Sequence, residues 1–210
     1  MKLVSKSLAD QVYDQVKEMI LSGHIKQGEK ISEENLSEQF EVSRTPIREA
    51  LKRLDTYGLV KMEPRSHTSV IEISEKGGKD IALMRINLEN FAIDHINMNL
   101  FNSSFDEICR LAADCQYALT IENRAKAFEL DSLFHIAIIK TADNDALTDI
   151  YERIDAKIQL LRIKQNENND RLLEYMMQHT KLINLIKNGR LEEAKALTEN
   201  HVLHKDGLVL

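Results

Sequence analysis

Tryptophan is absent from these 210 residues, and proline (2), cysteine (2) and glycine (7) are all sparse. With so few turn formers and only 5% aromatics, a sandwich or barrel of many short strands is excluded and a mainly α chain is expected. The two cysteines, Cys109 and Cys115, fall on different faces of a predicted helix. That spacing excludes a local disulfide and a CxxC site, and both read as ordinary buried thiols. No apolar run approaches the roughly 18 residues of a membrane span, and residues 1–10 hold no apolar stretch of the signal-peptide kind. The expectation is a cytoplasmic protein with no membrane partner.

Hydrophobic residues make up 43% of the chain, enough for a proper core in one large domain or two small ones. A formal charge of −6 argues against indiscriminate coating of nucleic acid. It hides a local excess of the opposite sign. Between Ser43 and Arg65 lie Arg44, Arg48, Lys52, Arg53, Lys61 and Arg65, against only Glu49, Asp55 and Glu63. Any phosphate contact belongs in this stretch.

Apolar periodicity predicts a first helix over 8–21, stopped by Gly23. Ser32 is placed to cap a second helix through Phe40, and Ser43 a third that reaches Tyr57 and stops at Gly58. Pro46 falls in that helix's first turn, where a missing N–H costs little. Two short extended runs, 59–63 and 68–73, read as a hairpin. Residues 1–73 are thus expected to form one unit. The polar stretch 74–79, with Gly77-Gly78, reads as a linker, and 80–210 as a second unit. That unit is expected to be an antiparallel bundle of about six helices, near 80–101, 104–121, 124–141, 144–165, 170–188 and 191–206.

In the third helix Ile47, Ala50, Leu51 and Leu54 recur at i, i+3, i+4 and i+7 and must face a core. On the opposite side Arg44, Arg48 and Lys52 step by four, with Thr45 beside Arg44. A recognition helix enters the major groove with such a face, where arginine reaches guanine O6 and N7 through two hydrogen bonds. Ser43 and neighbouring backbone N–H groups are placed to hold a phosphate. A solvated basic face has the same spacing, and spacing alone does not separate the two.

The residues themselves add more. Ile20-Leu-Ser-Gly23, Leu36-Ser-Glu-Gln-Phe40, Val42-Ser-Arg-Thr-Pro-Ile-Arg-Glu-Ala-Leu-Lys-Arg-Leu54 and Tyr57-Gly-Leu-Val60 closely resemble the winged-helix domain of the GntR regulator family, over most of residues 8–72. The resemblance implies a winged helix-turn-helix that binds a palindromic double-stranded operator as a homodimer, with Arg44, Thr45 and Arg48 on the DNA. It implies a transcription regulator, read here as a repressor, and not an enzyme. Two positions depart from the family: Glu34 stands where a DNA-contacting arginine is common, and His67 where the wing often has glycine.

In the second unit the informative residues interrupt apolar stripes. Asp131 and His135 share a face with Phe128, Phe134 and Ile138. His179 interrupts Leu172, Met176, Ile183 and Ile186, and His201 follows Ala194 and Leu197. His179 and His201 each lie about 14–15 Å from the turn their helices share, so an antiparallel hairpin sets them at one height. Four inward polar groups left unsatisfied would be costly. Three imidazoles and a carboxylate suit a divalent transition metal, zinc first, nickel or manganese as alternatives. His24, His67, His95 and His204 have no such company, although His204 is close enough in sequence to His201 to support it or replace it.

This half resembles the FCD ligand-binding domain of the FadR subfamily of GntR regulators. The matching pieces are Arg85-x-x-x-Glu89, Asp131-Ser-Leu-Phe-His135, and His179 with Leu182-Ile183 followed by His201. The resemblance implies a helical pocket where Asp131, His135, His179 and His201 bind a metal whose open positions take the carboxylate of a small organic acid. Gln178 stands where the family often has glutamate. Arg85 is expected either to meet that effector or to pair with Glu89 on the surface. Two other functions fit a metal with open positions: a metal-responsive regulator with no organic effector, and a metallohydrolase fused to a DNA-binding unit. No HExxH and no nucleophile elbow supports the second.

Overall fold

The structure is a computed structural model that describes residues 6–63, 66–163 and 168–205. It divides into two compact units, Met1–Ile73 and Ser74–Leu210. Among the described residues, no helix is long and apolar enough to cross a membrane.

In the first unit α1 (Leu8–Leu21), α2 (Glu33–Gln39) and α3 (Arg44–Thr56) surround a core of Val12, Val16, Ile20, Leu36, Ile47, Ala50, Leu51 and Leu54. Ser7 and Asp10 form a reciprocal capping box at the start of α1. Gly23 (φ 77°) and Gly58 (φ 70°) take the left-handed step that ends α1 and α3. The hairpin is β2 (Val60–Met62) and β3 (Thr68–Val70), with Lys61 opposite Ser69. One strand was not expected from the sequence. β1 (Lys30–Ile31) pairs antiparallel with β3, so the sheet order is β1-β3-β2.

The second unit is helical: α4 (Glu75–Asp94), α5 (Met98–Ser103), α6 (Phe105–Thr120), α7 (Arg124–Lys140), α8 (Asp145–Ile163), α9 (Asn169–Lys187) and α10 (Leu191–Lys205). α7 packs against α4, α6 and α8, while α9 joins α6 and α10. α7 is therefore central, and it buries residues on several sides, Ala127, Leu130, Asp131, Phe134, His135 and Ile138 among them.

Two expectations need correction. The stretch 74–79 is not a linker, because Ser74 caps α4 by accepting from the Gly77 N–H, and the glycines lie inside the helix. Gly78 is buried for close packing: a Cβ there would lie 3.3 Å from Leu161 Cδ2 of α8. The helix expected over 80–101 is two helices. Asn97 accepts through Oδ1 from the N–H groups of Asn99 and Leu100, and its own N–H donates to the Thr141 carbonyl at 2.8 Å, which starts α5 afresh. Cys115 is buried as expected, whereas Cys109 is half-buried, and neither forms a disulfide.

Candidate metal centre and nucleic-acid interface

α3 separates its two faces cleanly. Ile47, Ala50, Leu51 and Leu54 are buried, while Ser43, Arg44, Thr45, Arg48 and Lys52 are exposed together along the other side. Ser43 occupies the N-cap position without making a side-chain capping bond. The two arginines meet acidic residues of α2. Arg44 Nη2 donates to Glu34 Oε1 at 2.5 Å, and Arg48 donates to Glu33 through Nε at 3.2 Å and Nη2 at 2.8 Å. Exposed pairs of this kind are weak in water, too weak to withhold a guanidinium from a nucleic acid. Glu34 thus neutralises the neighbouring Arg44 on this face. His67 carries no backbone strain, since the described non-glycine residues at positive φ are Glu41, Glu122 and Asp143. Arg65 lies outside the described residues.

Asp131, His135, His179 and His201 are brought together by α7, α9 and α10, and one ligand atom from each lies within 4.8 Å of all the others. All four are buried, none more than 3% exposed. Asp131 Oδ1 lies 3.1 Å from His179 Nε2 and 3.7 Å from His135 Nε2. The His179 and His201 rings are 5.1 Å apart between centroids, which puts the two helices in register at this height. Ligands bonded at about 2.1 Å to one ion sit no more than about 4.2 Å apart, so closing the cluster requires roughly half an ångström of movement. The donor set and its spacing fit a divalent transition ion.

The surrounding residues fix how the imidazoles are presented. His135 Nδ1 lies 3.3 Å from Glu89 Oε2, and His201 Nδ1 lies 3.2 Å from Gln178 Oε1. Each contact sets Nδ1 beside an oxygen able to accept its proton, which favours Nε2 as the ligating atom. Burial pushes the His135 pKa down, outweighing the nearby carboxylate of Glu89, so the ring is neutral and able to ligate. Burial alone would raise the Glu89 pKa, but the Arg85 guanidinium holds that carboxyl well below the usual range. Burial keeps Tyr151 a neutral phenol, and its hydroxyl donates to Glu89 Oε1 at 2.5 Å. Phe134 stacks on His179 with centroids 4.1 Å apart.

Arg85 is the sequence-predicted residue that the structure leaves out of the cluster. It is fully buried, its Nε donates to Glu89 Oε1 at 2.7 Å, and it does not line the central cavity. The pair with Glu89 forms as one reading expected, but inside the domain, where it supports His135. Arg162 is the residue the sequence reading missed. It is 1% exposed, with Nη2 2.5 Å from Asp131 Oδ2, and it neutralises that carboxylate from the side away from the imidazoles. A polar face on α8, with Asp155, Gln159 and Arg162 at i, i+4 and i+7, carries the same signal that exposed the histidines. The His204 side chain lies outside the described residues.

The central cavity measures about 10 Å³ and is lined by the three histidines together with Gln178, Leu182, Leu197 and Thr198. That is room for one water-sized group.

Replacing Glu89 with glutamine retains its shape and removes its charge. Metal affinity is expected to fall about 10–100-fold, read by competition with a chromophoric chelator. Unchanged affinity would separate Glu89 from the centre.

Residues 8–70 match the family described as bacterial regulatory proteins, gntR family, and residues 80–204 match the FCD domain. The uncharacterised HTH-type transcriptional regulator YdhC of Bacillus subtilis is 29% identical over 198 residues, spanning 92% of this chain and 87% of its own. The gluconate operon transcriptional repressor of the same organism is 26% identical over 173 residues, 80% of this chain and 71% of its own. Among solved structures, Escherichia coli McbR/YncC shares the fold with a TM-score of 0.79 and 21% identity, covering 97% of both chains.

Proposed function

This chain belongs to the gntR family of bacterial regulatory proteins and is a DNA-binding transcription regulator with an FCD domain, and from that premise we propose a metal-dependent sensor of a small organic acid. In this reading Arg44, Thr45 and Arg48 read base edges, and Ser43, Lys52 and Arg65 hold phosphates. Asp131, His135, His179 and His201 hold the metal, zinc suiting an N₃O set best and nickel or manganese next. When bound, the metal supplies a Lewis-acidic open position for an oxygen of the effector's carboxylate. Two chains pair about a two-fold axis, which sets two recognition helices about one turn of DNA apart. The sign is repression, as in the relative named for the gluconate operon. The observation that carries the reading is the convergence of four buried ligands from three helices.

One observation favours the narrower reading in which metal alone is the signal: a cavity of about 10 Å³ admits a water-sized group and no more without opening. Operator affinity measured with metal-free and zinc-loaded protein, each with and without a panel of small carboxylates, decides between the two. The expected result is a shift of about 5–150-fold on adding the effective acid to the zinc-loaded protein and none without zinc. A shift on zinc alone, with every acid inert, would replace the acid sensor by the metal sensor.

A further inference from the structure

Thr198 stands on α10 one turn before His201, on a buried face with Ala194, His201 and Val202. It is 1% exposed and lines the central cavity, and among the described residues its Oγ1 has no hydrogen-bond partner. Threonine inside a helix ordinarily returns its hydroxyl to the carbonyl one turn back. A buried hydroxyl left unpaired destabilises the fold, and valine would fill the same space without that cost. The hydroxyl therefore fits a group that enters the cavity.

We propose that Thr198 donates its O–H to the carboxylate oxygen that enters beside His135, His179 and His201, making it the residue that selects an anionic oxygen donor. This rests on the metal reading above. Of the other side chains lining the cavity, Leu182 and Leu197 are apolar and Gln178 already meets His201 Nδ1 through its Oε1 at 3.2 Å. Thr198 thus adds a neutral hydroxyl whose O–H can turn toward an entering oxyanion and donate to it. A hydrogen bond to a charged acceptor contributes more than one between neutral groups, so its loss is measurable in ligand affinity.

The test uses full-length protein loaded with Co(II) as a spectroscopic probe and titrated with acetate, following the visible Co(II) bands. In Thr198→Val the acetate dissociation constant is expected to rise about tenfold, with Co(II) affinity within about twofold of the parent. Thr198→Ser, which keeps the hydroxyl, should stay close to the parent. Metal-free Thr198→Val should melt no lower than the metal-free parent, because it loses an unpaired polar group and no packing. Equal acetate affinity in the valine variant and the parent overturns the proposal, as does a parent that takes up Co(II) without any acetate response. A parent that takes up no Co(II) overturns the metal reading itself and this proposal with it.

Discussion

His179→Ala is expected to leave the purified protein with almost no bound metal, while the parent retains close to one ion per chain. His179 Nε2 faces Asp131 Oδ1 at 3.1 Å and its ring stacks on Phe134, so its removal takes away both a ligand and the wall that orients the others. The loss in affinity should exceed the roughly 100-fold upper range seen when only a supporting residue is lost. Stability follows by mass action: an ion present at about 1,000 times its dissociation constant stabilises the fold by about 4 kcal/mol. For a domain of this size that corresponds to roughly 10 °C or more in melting temperature. Zinc and chelator should therefore move the melt of the parent and leave that of His179→Ala unmoved. The metal-free protein should still fold, because Arg162 already meets the Asp131 carboxylate at 2.5 Å. Equal metal content in variant and parent would show that the centre lies elsewhere.

The parts of this centre that were legible in the sequence share one property. Asp131, His135, His179 and His201 each break an apolar stripe on their own helix, and periodicity alone reports that an interrupted stripe points inward. The equal-height argument for His179 and His201 worked because a short turn, Asn188–Arg190, fixes the register of α9 against α10. The Arg85–Glu89 pair, one turn apart on α4, was legible, whereas contacts made between helices far apart in sequence were not. Tyr151 reaches Glu89 across 62 positions, and nothing local to either residue encodes the meeting. Leu197 continues the apolar stripe of α10, yet Thr198, its neighbour in the same turn, is the more deeply buried, and a threonine in a polar stretch gives no local sign of it.

Local signals misled where tertiary packing reversed their ordinary meaning. Gly77-Gly78 costs a helix about 1 kcal/mol per residue and reads as a break, yet Ser74 caps that helix and Gly78 lets Leu161 approach closely. The strand Lys30–Ile31 is too short for any periodicity and exists because β3 offers it an edge. In the first unit, by contrast, α1, α2 and α3 were readable almost to the residue. Serine stands at the N-cap of each, and α1 and α3 end on a glycine at positive φ.

Replacing Arg44 and Arg48 together with alanine is expected to weaken operator binding by roughly 2–6 kcal/mol, from about 1–3 kcal/mol for each arginine that reads a base. Both side chains are exposed on the face of α3 opposite Ile47, Ala50, Leu51 and Leu54, so neither contributes to the core of its unit. The metal content and the melt of the helical domain should be unchanged. The pairs with Glu33 and Glu34 sharpen the test. Loss of Arg48 frees Glu33, whose charge then faces the phosphates unopposed, so part of the loss should return when Glu33 is also replaced by alanine. Glu34→Ala alone should act in the opposite direction and strengthen binding, because it removes a negative charge and releases Arg44. That gain should shrink as salt rises, since surface charges beyond about 10 Å are screened at 0.1 M ionic strength. Unchanged operator affinity in the double arginine variant, measured by anisotropy on a fluorescent operator, would remove α3 from the DNA interface.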